Sequence, residues 1–155
     1  MKRFLFDCGT RDATASLGIL ALRVMTGLMM LLGHGVLKLR DYSMLRDKFE
    51  LQVYPFQHFS PSINLMLCIA AEVGAAILIV LGICTRPAAF MLGFTMVVAA
   101  FGVHGNAPWF MGPGVPVSKE PALLYLIPMI AIILTGGGAF SLDSAIYKEG
   151  KRRRW

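Results

Sequence analysis

Charged residues are scarce in this sequence. Lysine and arginine number 15 and aspartate and glutamate 9 among 155 residues, so 15% of the chain is charged while 56% is hydrophobic. A soluble globular domain carries about 25% charged residues, and a mean hydropathy of +0.64 takes the chain out of that class. Cysteine is scarcer still. Cys8, Cys68 and Cys84 are odd in number and form no Cys-x-x-Cys pair, which argues against a dithiol relay within the chain. The three histidines include no pair at i, i+4, and neither a metal motif nor a nucleotide motif is found.

What the sequence has instead is long apolar runs, over residues 17–38, 62–84, 87–105 and 121–137. Each approaches the roughly 20 residues that a helix rising 1.5 Å per residue needs to cross about 30 Å of hydrocarbon. The expected fold is all-α, one membrane-embedded domain over residues 1–155 built as a four-helix antiparallel bundle. The fourth run ends early, before Gly136-Gly137-Gly138, and has to stand nearly upright or thin the bilayer. No cleavable leader is expected, because the opening residues are polar and the first run can span and act as its own targeting signal. With four spans both termini share a side. Lys2, Arg3, Arg11, Arg86, Lys148, Lys151, Arg152, Arg153 and Arg154 fall on that side, against Arg40, Arg46, Lys48 and Lys119 on the other, which predicts cytoplasmic termini. The excess charge of +6 is concentrated in "KEGKRRRW" beside a membrane exit, where it reads as an anchor to anionic lipid and not as a nucleic-acid surface.

Between the runs the punctuation is regular. Ser16 is the expected cap of the first helix. Leu45, Phe49 and Val53 then recur every four residues among charges, the pattern of a short interfacial helix, with Tyr54, Phe56 and Phe59 at headgroup level. Ser60-Pro61 is a cap-then-proline opening for the second span, and "GICTRP" is a tight turn that makes spans two and three a hairpin. "HGNAPWFMGPGVPVSKE" is a Gly/Pro-rich loop with Trp109 and Phe110 as interfacial anchors. "FSLDSAIY" places Ser141 as the cap of a small surface helix and Asp143 in its first turn. Gly27, Gly74, Gly82, Gly93 and Gly102 read as close-packing surfaces, and Met25, Met29, Met30, Met66, Met91 and Met96 as plastic packing.

Together, "LRVMTGLMMLLGHGVLKL", "AAEVGAAILIVLGICTRPAA", "VHG" and "KEPALLYLIPMIAIILTGGGAFSLD" resemble the DoxX family of small bacterial membrane proteins over roughly residues 17–145. The family pattern has an Arg early in helix one, where this chain has Arg23, and a Gly-x-x-Lys at its end, met by Gly35 and Lys38. It continues with a Glu in helix two, here Glu72, an Arg at the hairpin, here Arg86, and a His after helix three, here His104. It closes with a Glu opening helix four, matched by Glu120, and the Ser-Leu-Asp of Ser141, Leu142 and Asp143. The resemblance implies the bundle fold, a bacterial inner membrane and a link to quinone chemistry, the family being named for a subunit associated with thiosulfate:quinone oxidoreduction and a terminal quinol oxidase. Without a cofactor motif or dithiol in the chain, electrons would come from a redox partner protein. A homo-oligomer is a further possible assembly.

Ionisable residues inside the runs ask for an explanation, because a charge near the bilayer centre costs at least about 2.5–3.5 kcal/mol on insertion scales. By helical periodicity Arg23, Gly27, Met30, His34 and Lys38 share one stripe of the first helix. Arg23 and Glu72 are placed roughly 5–9 Å apart along the membrane normal, within an arginine's reach. A buried Arg23–Glu72 ion pair is therefore expected, either fixing helix register or supporting a ligand or proton site. His34, Lys38, His104 and Glu120 fall in one leaflet and compose a candidate ligand site. They offer donors for the carbonyls of a quinone and a proton acceptor, above an apolar channel for its tail. The structural alternatives are snorkelling of Lys38 to headgroups and interhelical hydrogen bonds for the histidines. A metal reading would use His34, His104 and Glu120. Two classes of function stand: a subunit or accessory of quinone-linked oxidoreduction, and a non-catalytic protein that binds or moves a lipid-like or small hydrophobic ligand or acts as structural partner of a redox enzyme.

Overall fold

The computed structural model describes residues 10 and 12–146. The polar lead with Cys8 and Arg11, and the basic anchor over residues 148–154, lie outside the described residues. Among those described, all regular elements are helical. Helix α1, Ala13–Arg40, starts earlier than expected because Asp12, not Ser16, is its cap: the Asp12 side chain accepts from Ala15 N at 2.8 Å. Ser16 lies one turn inside and buried, its Oγ accepting from Ala139 N at 3.1 Å. A carboxylate is as good a cap as a hydroxyl, so the aspartate sets the first turn.

A single turn, α2 (Tyr42–Leu45), follows α1. The expected interfacial helix through residue 53 is not formed. Phe49 instead lines a cavity and Val53 packs against Gly102, so tertiary burial overrides the four-residue pattern. Helix α3, Pro61–Leu81, opens at Ser60-Pro61 as expected. It ends at Gly82, whose φ of 73° allows Gly82 N and Ile83 N to donate to Leu78 O at 2.8 and 3.0 Å. Helix α4 (Thr85–Val103) follows at once, and α5 (Glu120–Thr135) comes after the long loop.

Three of these helices, α1, α3 and α4, are long and apolar enough to cross a membrane; α5 is apolar but shorter. The core between them is built from Met30, Ile79, Leu92, Met96, Met129 and Ile132. Gly27 lets α1 approach α3, since a Cβ there would come within 2.6 Å of Val80 Cγ2, and Gly93 lets α4 approach Met129 of α5. Gly74 faces open space and packs on nothing. Large apolar side chains such as Met25, Phe90, Ile127 and Leu134 stand on the outside of the helices. This inside-out distribution suits hydrocarbon as the surrounding solvent.

Each of α1, α3 and α4 contains a π-helical stretch, at Leu31–Gly35, Ala70–Ala75 and Val98–Val103. A π turn holds one more residue than an α turn and rotates everything beyond it. Along α1 the buried positions run Ser16, Ile19, Arg23, Gly27, Met30 and then Gly35, not His34. The single stripe expected from Arg23 through His34 is broken there, and His34 is exposed.

Candidate functional site

The π stretches converge on one group of side chains. Gly35 of α1 sits against the backbone of Glu72, where a Cβ would meet Glu72 O at 2.8 Å, so the two helices touch at this level. One turn further along α1, Lys38 turns inward and its Nζ donates to Glu72 Oε2 at 2.5 Å. The Lys38 side chain is 24% exposed and that of Glu72 5%. The other carboxylate oxygen, Oε1, accepts from the Cys68 thiol at 3.3 Å. Lys38 therefore does not snorkel.

The expected Arg23–Glu72 pair is not formed. Contacts between α1 and α3 put Arg23 beside Ile79 and Val80 and put Glu72 beside Gly35, twelve residues further along α1, or roughly 18 Å at the ordinary helical rise. Arg23 is fully buried and its two terminal nitrogens donate to carbonyls: Nη1 to Ile79 O at 2.9 Å and Val80 O at 3.4 Å, Nη2 to Phe140 O at 2.8 Å. The first two are last-turn carbonyls of α3, where a cation is favourable. Next to this knot Asp143 Oδ1 accepts from Cys84 N, and its Oδ2 accepts from Thr85 N and Thr85 Oγ1, at 2.7–2.8 Å. Asp143 thus caps α4 from across the fold, while Ser141 Oγ accepts from Ser144 N as the local cap expected of it.

Two cavities flank the Lys38–Glu72 pair. The larger, about 410 Å³, is bounded by α3, α4 and the loop after α2, with apolar walls that include Phe56, Leu67, Phe90, Met91, Phe94 and Val98. The smaller, about 260 Å³, lies under the 104–119 loop and is lined by His34, Ser118, Tyr125 and loop residues such as Val117. Lys38, Glu72 and His104 line both. His34 reaches the smaller one edge-on to the Tyr125 ring, with centroids 5.5 Å apart.

Three of the four expected ligand residues, His34, Lys38 and His104, are thus brought together, and Glu72 joins them. Glu120 does not. Its Oε2 accepts from Met111 N at 2.7 Å, pinning the loop to the start of α5, and it lines neither cavity. The loop backbone attracts this carboxylate because its amide lacks a helical partner. The His34–His104–Glu120 metal set is accordingly not assembled, and among the described residues no three His, Cys, Asp or Glu side chains form a metal group. Lys119 lies over the Trp109 ring, 4.8 Å from its centroid. Sequence reasoning missed Cys68, although its place four residues before Glu72 is a legible signal, and Tyr125, which nothing local marks.

The DoxX family profile matches residues 18–105, more than half of the chain. The chain belongs to the DoxX family. It is a membrane protein, as this DoxX membership and its three apolar helices indicate. Two similar proteins, both named "Uncharacterized protein" from Haemophilus influenzae, are 36% identical over 90 residues and 25% identical over 114 residues. The first alignment covers 54% of this chain and 64% of the relative, less than two thirds of its length; the second covers 74% and 72%. No solved structure matches this DoxX chain.

Proposed function

We propose that the protein is a membrane subunit or accessory of quinone-linked oxidoreduction, and that its larger cavity takes a quinone-like molecule. In this reading α5 is the fourth span of an antiparallel bundle in a bacterial inner membrane, the termini are cytoplasmic, and the loop end with the two cavities faces outward. The observation that carries the proposal is the chemistry of the 410 Å³ cavity: apolar walls ending at an ammonium, a carboxylate and an imidazole. A quinone has the same division, with carbonyl acceptors on a small ring and an apolar tail. Lys38 and His104 offer the donors, Glu72 holds Lys38 at the end of the chamber, and Phe90, Met91 and Phe94 extend the walls to the outer face of α4 where lipid would lie. The bound molecule would supply the redox chemistry, and a partner protein would exchange electrons with it.

The test is titration of the purified protein in lipid nanodiscs with decylubiquinone, reading the quenching of tryptophan emission. Lys38→Met should weaken binding at least tenfold, about 1.4 kcal/mol. Partition no different from empty nanodiscs, or equal binding by Lys38→Met, would overturn the proposal. Competition by added phospholipid at the same site would favour the second reading, a non-catalytic lipid-binding protein, which the lipid-facing walls also support.

A further inference from the structure

Asn64, in the first turn of α3, lines the larger cavity and is 2% exposed. Its Nδ2 donates to Phe56 O at 3.1 Å, whereas its Oδ1 is buried and has no hydrogen-bond partner among the described residues. That bond fixes which way the amide faces. A carbonyl oxygen only accepts, so the NH2 end has to meet Phe56 O and the acceptor end is the one left over. Buried acceptors are nearly always paired, because an unpaired one forfeits the hydrogen bonds that it makes to water.

Most other polar side chains in the cavity wall are already engaged. Lys38 Nζ donates to Glu72 Oε2, the Cys68 thiol donates to Glu72 Oε1, and Thr95 Oγ1 donates to Met91 O at 3.0 Å. His104, the remaining one, is half-buried. Asn64, Cys68 and Glu72 recur every four residues, so they form one stripe of α3 along the cavity, with Asn64 roughly 12 Å before Glu72 at the ordinary helical rise. The rest of the wall is apolar and rich in rings, with Phe49, Phe56, Phe90 and Phe94, a lining against which a flat ring packs well.

We propose that the larger cavity recognises an amphiphile whose ring carries a hydroxyl, and that Asn64 Oδ1 accepts a hydrogen bond from that hydroxyl. The hydroxyl keeps its proton and no covalent bond changes. A ligand of the same shape without the O–H leaves the amide oxygen unpaired, and a site built to pair a ligand hydroxyl rejects the analogue that lacks it for this reason. Asn64 is thus a specificity residue at the far end of the stripe from the Lys38–Glu72 pair. The inference rests on the larger cavity being the binding site proposed above, and it narrows the chemistry of the occupant.

Two probes test this: 4-decylphenol, and 4-decylfluorobenzene, in which a fluorine of similar size replaces the hydroxyl. Each is titrated by calorimetry into the protein in lipid nanodiscs, with empty nanodiscs giving the lipid partition to be subtracted. The wild-type protein should bind the phenol about tenfold or more tightly than the fluoro analogue. Asn64→Leu should lose that preference while still binding the fluoro analogue. Equal binding of the two probes by wild-type protein overturns the inference, and this comparison holds even if Asn64→Leu fails to fold. A preference that survives in Asn64→Leu also overturns it, because the acceptor is then another group. Decylubiquinone, which has no hydroxyl, separates the two readings: if it binds and the phenol is not preferred, only the role of Asn64 falls, and if none of the three probes binds, the cavity reading falls too.

Discussion

Replacing Lys38 by methionine keeps the apolar stem of the side chain and removes the ammonium that lies 2.5 Å from Glu72. The Glu72 carboxylate, 5% exposed, is then left with the Cys68 thiol as its donor. Breaking a buried pair from one side commonly costs about 3–5 kcal/mol. Lys38→Met should therefore destabilise the protein by about 3–5 kcal/mol. Glu72→Gln strands an ammonium instead, on a flexible stem that is 24% exposed and can reach water, and should cost only about 1–2 kcal/mol. The double variant should lose less than the sum by about 1–3 kcal/mol. Titration with dodecyl sulfate in mixed micelles, followed by far-ultraviolet circular dichroism, gives all four corners of the cycle. Additive losses would refute the reasoning.

At the other end of the helices, Arg23→Met should cost about 3 kcal/mol in the same titration, since it strands carbonyls at Ile79, Val80 and Phe140. Combined with Glu72→Gln it should be additive within about 0.5 kcal/mol, because the two residues share no partner. Asp143→Ala removes the acceptor of three donors at Cys84 and Thr85 and should lower stability by about 3 kcal/mol, checked by thermal unfolding in detergent. Gly35→Ala drives a methyl group to 2.8 Å from Glu72 O; it should cost about 1–3 kcal/mol and weaken decylubiquinone binding along with it, whereas Gly74→Ala, with open space around it, should do neither. A reporter active only outside the cytoplasm should be silent when fused after Trp155 and active when placed near Gln52, and the reverse would invert the proposed orientation.

The sequence by itself determined that the chain is helical and belongs in a membrane, because four apolar runs leave no other way to satisfy so much backbone and so little charge. Composition and periodicity also located Lys38, His34, His104 and Glu72 as residues out of place in lipid, and Ser60-Pro61 and the turn "GICTRP" marked where α3 opens and closes. Pairing was a different matter. Counting every fourth residue from Arg23 assumes an unbroken α-helix, and the π stretch at Leu31–Gly35 moves burial from His34 to Gly35. Estimating depth from run boundaries put Arg23 opposite Glu72, whereas contact through Gly27 and Gly35 sets α1 against α3 with Glu72 level with Gly35 and near Lys38. Asp143 looked like a local helix residue and caps α4 from 58 residues away in sequence; Glu120 looked like a ligand and ties down a loop. A side chain's residue type and place on its helix are local properties that a sequence displays. The partner it meets depends on helix register, and register is decided where small residues let two backbones approach, a property of the folded whole.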